Sequence, residues 1–102
     1  LEKYSKKDKV IGSIAIGATG DALVELGQIE KGISKYIEAA EYADNSFNTP
    51  LYLMKAGELY ESSGKYPDAL KVYERIKKEY PTSTEGSSID KYIARVKILS
   101  KQ

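Results

Sequence analysis

Two glycines and a threonine near the start of the chain have the spacing of a phosphate-binding loop. Four residues separate Gly12 from Gly17, and Ala18 and Thr19 follow. In such a loop a lysine follows the second glycine and contacts the β- and γ-phosphates, and a strand precedes the first glycine. Here alanine occupies the lysine position and no strand is predicted. We therefore interpret these small residues as positions where helices pack closely.

Two pairs of carboxylates are the next candidates for chemistry. Asp21 and Glu25 are four residues apart and Glu58 and Glu61 are three apart, so each pair shares one side of a helix. A glycosidase needs two carboxyl groups that face each other across a cleft, one of them with a raised pKa. We interpret both pairs as solvated helix faces, and the alternative is that they line a binding groove.

The composition excludes most other catalytic chemistry. The chain has 102 residues with no cysteine, histidine or tryptophan, which removes thiolate nucleophiles, histidine acid–base pairs and Cys/His metal sites. No nucleophile–base pair can be assembled, so we predict no enzyme activity and no cofactor or metal. The net charge of +1 and nine tyrosines without a basic face argue against nucleic acid. No apolar run is long enough for direct membrane insertion.

An internal repeat organises the chain. Residues 37 positions apart match in size over most of two segments. The matched pairs are Ile16 with Leu53, Gly20 with Gly57, Leu23 with Tyr60, Gly27 with Gly64, Ile29 with Tyr66, Gly32 with Ala69, and Tyr36 with Tyr73. The exception is Asp44, which stands opposite Pro81. Two copies of one helical hairpin explain this pattern.

Local signals predict about five helices and no strand. A face of Ile11, Ile14, Ala15, Ala18 and Ala22 predicts a helix over residues 11–25, and residues 29–43 have the same periodicity. Thr49-Pro50 is predicted to be the N-cap and first turn of a third helix that ends near Ser62, and Pro67 and Pro81 bracket a fourth helix. A capping box of Thr82 and Glu85 predicts a fifth helix, whose apolar residues are Ile89, Tyr92, Ile93, Val96 and Leu99. Tyr42 and Tyr52 are predicted to be the tyrosines freest to make contacts.

The second copy resembles the tetratricopeptide repeat, a helix–turn–helix unit of about 34 residues. The residues that carry the resemblance are Leu53, Ala56-Gly57, Tyr60, Ala69, Tyr73 and Pro81. The resemblance implies an all-α solenoid, a right-handed superhelix of antiparallel hairpins. We expect residues 1–10 to be the tail of a preceding repeat helix, 11–46 and 47–81 to be the two hairpins, and 82–102 to be a C-terminal capping helix.

The resemblance also implies roles for individual residues. The expected packing residues are Gly20, Leu23, Gly32, Tyr36, Gly57, Tyr60, Ala69, Tyr73 and Pro81. The first helix of each repeat is expected to line a concave groove that binds a protein or peptide. Its expected partner-binding residues are Asp21, Val24, Glu25, Met54, Lys55, Glu58, Glu61 and Ser62, with Gly17 beside them. The alternative function is a structural cap of a longer array whose recognition surface lies in preceding repeats.

The pattern TPxYLMKAGxLYExxGKYxxAL, followed by the segments YERIKKEYPTSTE and IDKYIAR, is also similar to the C-terminal part of bacterial membrane-anchored tetratricopeptide proteins, which resemble the ancillary translocon subunit. That similarity implies a parent protein on the periplasmic side of the cell envelope. A cytoplasmic location is the alternative.

The charge is unevenly distributed. Residues 65–102 contain nine basic and five acidic residues, a net +4, whereas residues 10–64 contain three and eight, a net −5. Because the expected groove is acidic, we expect a basic or mixed apolar–basic partner. Weak head-to-tail self-association, with the acidic groove of one molecule on the basic end of another, is a second hypothesis.

Overall fold

The computed structural model describes residues 6–102, and within this range the chain is entirely helical apart from its turns. The helices are α1 (Lys6–Glu25), α2 (Ile29–Ala43), α3 (Asn48–Ser62), α4 (Tyr66–Glu79), α5 (Thr84–Ser87) and α6 (Ile89–Leu99). They account for 81% of the described residues, and no strand occurs among them. The predicted all-α class is therefore confirmed. None of these helices is long and apolar enough to cross a membrane.

The helices form two hairpins followed by a C-terminal helix. α1 packs on α2, α2 on α3, α3 on α4, and α4 on α6, so contacts run mainly between consecutive elements, as in a helical-repeat solenoid. Gly27 and Gly64 close the two hairpin turns with φ values of +82° and +77°. This left-handed conformation favours glycine, and the two glycines are 37 residues apart, as the repeat predicts.

One core runs through both hairpins into α6. Its largest fully buried side chains include Leu53 of α3, Tyr73 and Ile76 of α4, and Ile89 and Val96 of α6. These residues recur at helical spacing on the inner faces of their helices. α6 is therefore part of the same core as the hairpins that precede it.

Within the described residues α1 is continuous from Lys6 to Glu25. It passes without interruption through Ile11, where the first hairpin was expected to start. The predicted tail of a preceding helix spans residues 1–10, and its first five residues lie outside the described part of the chain.

The apolar face predicted for α1 is wrong. Ile11 and Ile14 are 55% and 51% exposed, and the three alanines of that face are exposed as well. The buried side of α1 consists of Ser13, Gly17 and Gly20. Small residues face inward because tyrosine rings from α2 and α3 lie against this side of the helix. A search for hydrophobic periodicity does not detect such positions, since glycine and serine are not hydrophobic.

The two predicted N-caps are also corrected. Thr49 is not the N-cap of α3: Phe47 occupies that position, and Oδ1 of the preceding Asn45 accepts hydrogen bonds from the backbone N–H groups of Phe47 and Asn48 at 2.8 and 2.7 Å. Thr49 lies within the helix and is buried, and its hydroxyl donates to the Ala40 carbonyl at 2.9 Å. These bonds make the turn between α2 and α3 well defined.

The predicted single C-terminal helix is divided in two. Ser83 caps the short α5, since its hydroxyl accepts a hydrogen bond from Gly86 N–H at 2.9 Å, and Thr82 lies outside the helix. Gly86 is close to the preceding turn, where an added Cβ would lie 2.0 Å from the Tyr80 carbonyl oxygen. α6 then begins at Ile89.

The residues predicted to pack the repeats occupy three environments. Gly20, Gly32, Tyr36, Gly57, Ala69 and Tyr73 are buried, Leu23 and Tyr60 are half-buried, and Pro81 is exposed after the end of α4. Tyr52, predicted to be free, is 6% exposed, so that prediction is wrong. Its ring lies against Gly17 of α1.

Replacing Gly57 with alanine should destabilise the protein because the ring of Tyr73 already occupies the space. An added Cβ would lie 2.5 Å from Cε1 of Tyr73. We expect Gly57→Ala to lower the free energy of unfolding by about 1–3 kcal/mol, measured by urea denaturation, although alanine has the higher helix propensity. The control Glu58→Ala, at the next and exposed position of α3, should change it by less than about 0.5 kcal/mol. Equal stability of the two variants would contradict this packing.

Candidate functional site

A shallow depression of about 390 Å³ lies over α3 and the neighbouring part of α2. We call it the α3 depression; it is lined by Tyr36, Lys55, Glu58, Leu59 and Ser62. Three of these residues lie on successive turns of α3, which brings them to one side of the helix. The depression combines an aromatic ring and a leucine with one basic, one acidic and one hydroxyl group.

Lys55 is held at the edge of this depression by residues from two neighbouring helices, α1 and α2. Its Nζ lies 3.4 Å from Oδ1 of Asp21 on α1 and 5.4 Å from the centre of the Tyr36 ring. The Tyr36 hydroxyl donates a hydrogen bond to the same Asp21 carboxylate. The Tyr36 and Tyr52 rings stack with their centres 6.2 Å apart and their planes at 17°.

The electrostatics of Tyr36 follow from this position. Burial raises the pKa of its hydroxyl, and the hydrogen bond to the Asp21 carboxylate raises it further. The hydroxyl therefore stays protonated and acts as a donor. Asp21, Tyr36, Tyr52 and Lys55 form what we call the first clamp, because they join α1, α2 and α3.

A second clamp has the same parts one unit later: Glu61, Tyr73, Tyr92 and Arg95. The Tyr73 hydroxyl donates to Oε1 of Glu61 at 2.8 Å, and the Arg95 guanidinium donates to both carboxylate oxygens at 2.5 and 2.9 Å. The Tyr92 ring lies 5.7 Å from that of Tyr73 and 4.9 Å from Cζ of Arg95. This clamp joins α3, α4 and α6.

The pKa of Glu61, the carboxylate of the second clamp, is shifted by its neighbours. The hydrogen bond from Arg95 lowers the pKa of Glu61, and the bond from Tyr73 adds to that effect, although burial opposes both. Burial and the Glu61 hydrogen bond in turn raise the pKa of Tyr73. Glu61 is therefore ionised, and its carboxylate accepts hydrogen bonds from Tyr73 and Arg95 of the same molecule.

The two clamps show that α6 is placed like the first helix of a further hairpin. In the first clamp, α3 supplies a tyrosine and, three residues later, a cation: Tyr52 and Lys55. In the second clamp, α6 supplies Tyr92 and Arg95 with the same spacing. α6 therefore packs on α4 through the same pair of residue types that α3 presents to α2.

Several ion pairs between units have nearly the same sequence separation. Four of those described for residues 6–102 join side chains 34 or 35 residues apart: Asp21–Lys55, Glu30–Lys65, Glu41–Arg75 and Glu61–Arg95. Three of them connect the acidic middle of the chain with its basic C-terminal third. These three pairs use part of the opposite charge of the two segments within one molecule, and the head-to-tail association stays a prediction.

The residues predicted to line a groove do not form one surface. Lys55, Glu58 and Ser62 lie together in the α3 depression, and Asp21 borders it through Lys55. Glu61 belongs to the second clamp, with its side chain only 12% exposed. The remaining residues are half-buried Val24, whose side chain lies against Gly32, half-buried Met54, which packs against the core, and exposed Glu25. Gly17 is buried beneath Tyr52.

Sequence reasoning did not assign Tyr36 and Leu59 to the α3 depression. It also did not assign Tyr52, Tyr92 and Arg95 to the clamps. Tyr36 was assigned to packing alone, yet its ring also lines the depression. Arg95 could have been found from the recurrence of a tyrosine followed three residues later by a cation. Leu59 has no comparable signal.

A second concave region lies at the turn between α2 and α3. The cleft has a volume of about 830 Å³ and is bordered by Phe47, which is 82% exposed. The Asn45 hydrogen bonds at the start of α3 hold this turn. Its lining includes Lys9, Asp44 and Ser46, and among residues 6–102 no group of acidic side chains could hold a metal ion.

Comparison with known families agrees with the geometry of the second hairpin. Residues 52–83 match the family model described as tetratricopeptide repeat. This stretch contains most of α3, all of α4 and the turn that follows, which is 32 of the 102 residues. The match supports the tetratricopeptide family for this hairpin. No significant match was found among curated proteins or among solved structures.

The second clamp should contribute measurably to stability. We expect Arg95→Ala to lower the free energy of unfolding by about 1–2 kcal/mol, because it leaves the largely buried Glu61 carboxylate without its cation. The control Lys97→Ala, at an exposed position on the same helix, should have little effect. A double-mutant cycle with Glu61→Gln measures the coupling, and a coupling energy of zero would show that the two side chains do not interact in solution.

Glu61 should also make the free energy of unfolding depend on pH in the acidic range. The pKa of Glu61 is lowered on folding from its ordinary value of about 4.5. Its ionisation therefore stabilises the folded protein above about pH 4.5, and this contribution is lost as the pH falls through the lowered folded-state pKa. Glu61→Gln should flatten the fall in the free energy of unfolding between about pH 5 and pH 3. An unchanged pH profile of the variant would contradict the assignment.

Proposed function

We propose that this protein binds a segment of a partner protein at the α3 depression. The tetratricopeptide match indicates a protein–protein interaction scaffold, of a family that is generally non-catalytic. The observation that supports binding at the α3 depression is the difference between the two acidic residues of α3. Glu61 is bound by Arg95 and Tyr73, whereas Glu58 is exposed in the depression beside Leu59 and the Tyr36 ring.

The chemistry of the depression supports a partner with one basic side chain next to an apolar one. Glu58 offers a carboxylate to a lysine or arginine, and Leu59 with Tyr36 offers apolar surface at its side. Lys55 is already shared between Asp21 and the Tyr36 ring, so it is less available to an acidic ligand. A partner that inserts a basic–apolar pair would gain charge complementarity without breaking the first clamp.

Two defined peptides test this proposal. A 12-residue peptide of alternating lysine and leucine and its glutamate–leucine counterpart are titrated into isotope-labelled protein and followed by NMR. We expect the basic peptide to bind at least about tenfold more tightly and to shift the amide signals of Lys55, Glu58, Leu59 and Ser62. Equal affinity of the two peptides, or shifts confined to other helices, would contradict the proposal.

Charge reversal within the depression provides the matched variant. Glu58→Lys should weaken binding of the basic peptide about tenfold and leave the free energy of unfolding nearly unchanged, since Glu58 is exposed. Glu74→Lys makes the same change at an exposed position of α4 and should not affect binding. Asp21→Lys is unsuitable as a test because Asp21 is part of the first clamp.

A structural role is the second proposal. It is supported by α6, which completes the second clamp and carries Lys91 and Lys97 at exposed positions, with Lys101 exposed just after the helix ends. A chain that only ends a helical array would bind neither peptide at the α3 depression. Full partner capture by the Glu58→Lys variant, with its fold intact by circular dichroism, would favour this role.

The cellular setting is a further proposal that rests on sequence resemblance alone. We propose a membrane-anchored parent protein in the bacterial envelope with these helices on the periplasmic side. Protease accessibility in spheroplasts of cells that express the complete parent protein tests this. Protection from added protease in intact spheroplasts, with digestion after lysis, would favour the cytoplasmic alternative.

A further inference from the structure

The outer face of α1 is an apolar surface on which no other described helix packs. It contains Ile11, Ile14, Ala15, Ala18 and Ala22, all exposed, and Leu26 continues it just after the helix with 72% exposure. This face is on the far side of α1 from Gly20, which contacts α2. Two half-exposed isoleucines in one stripe with alanines represent apolar surface that a helix tends to bury.

This surface differs from the ones through which α3 and α6 pack on a preceding helix. Those helices use a tyrosine and a cation three residues later, Tyr52 with Lys55 and Tyr92 with Arg95. The positions of α1 that correspond to Tyr52 and Lys55, 37 residues earlier, are Ala15 and Ala18. The face therefore lacks the clamp residues and offers a smooth surface to which another helix can come close.

The shape of the face is complementary to itself in an antiparallel arrangement. The isoleucines lie in the N-terminal half of the stripe and two of the three alanines in the C-terminal half. When two copies of α1 run in opposite directions, Ile11 of each lies opposite Ala22 of the other, and Ile14 opposite Ala18. Large residues then face small ones on both sides of a two-fold axis, which is the pattern that allows close packing.

The charges at the two ends of the stripe match in the same register. Lys7 and Glu25 are exposed and 18 residues apart, so they lie about five turns from each other along one edge of α1. In the antiparallel pair each Lys7 lies beside Glu25 of the other copy, which places an ion pair at each end. A parallel pair would instead put lysine beside lysine and glutamate beside glutamate.

We infer that the protein forms a weak, two-fold symmetric dimer through the outer face of α1. The helix has 20 residues and is about 30 Å long, so one helix pair buries less than the roughly 800 Å² per partner of a stable complex. The dissociation constant should therefore be on the order of 100 μM at low ionic strength. This surface is separate from the α3 depression, and dimer formation does not depend on the proposed peptide binding.

Sedimentation velocity from about 10 μM to about 1 mM tests the dimer. We expect the mass to rise with concentration from 11.3 kDa toward twice that value. Ala18→Glu, which places a charge in the centre of the face, should weaken association at least about tenfold. Ala94→Glu makes the same change at an exposed alanine of α6 and should have no effect. Circular dichroism establishes that both variants fold.

A charge exchange distinguishes the antiparallel arrangement from general hydrophobic association. Lys7→Glu alone and Glu25→Lys alone should each weaken the dimer, and the double variant should restore it, because the opposite charges again face each other. A monomer at every concentration would overturn the inference, as would a dimer that Ala18→Glu leaves unchanged. Failure of the double variant to restore association would exclude the antiparallel register.

Discussion

Tyrosine rings that lie against helix backbones set the spacing of this fold. Tyr36 lies against Gly20, Tyr52 against Gly17 and Tyr73 against Gly57, and a Cβ atom at any of these glycines would overlap the ring. Because each ring lies so close to the backbone of the helix that carries the glycine, its hydroxyl reaches beyond that backbone. The hydroxyls of Tyr36 and Tyr73 therefore reach carboxylates on the first helix of their own hairpin, Asp21 and Glu61. The remaining members of both clamps follow from that placement.

A carboxylate placed beside a buried tyrosine needs a cation, and the next unit supplies it. Lys55 and Arg95 come from the helix that follows each hairpin, which is why the paired residues are 34 residues apart in sequence. The same separation recurs at Glu41–Arg75, farther from the tyrosines. Half of the eight acidic residues in the middle of the chain, Asp21, Glu30, Glu41 and Glu61, are thus used to join units.

The sequence allowed a good prediction of the hairpins and a poor one of the α1 surface. The left-handed turns at Gly27 and Gly64 require glycine, so their spacing revealed the repeat directly. The inward side of α1 was misread because Ser13, Gly17 and Gly20 contribute little hydrophobicity, although they are what tyrosine rings need. The cap of α3 was misplaced for a related reason: Asn45 and Thr49 can both accept backbone hydrogen bonds, and only the path of the turn decides between them.

Neighbouring positions of α3 alternate between the internal contacts of the fold and the open surface of the depression. Gly57 and Glu61 are occupied by contacts with Tyr73 and Arg95, and a ligand that displaced them would expose buried polar groups. Glu58 and Ser62, one position farther along the helix in each case, are exposed in the depression beside Leu59. A one-residue step rotates the side chain by about 100° on a helix, enough to move it from the clamp to the open surface. Substitutions at these exposed positions can therefore change the surface of the depression while both clamps persist.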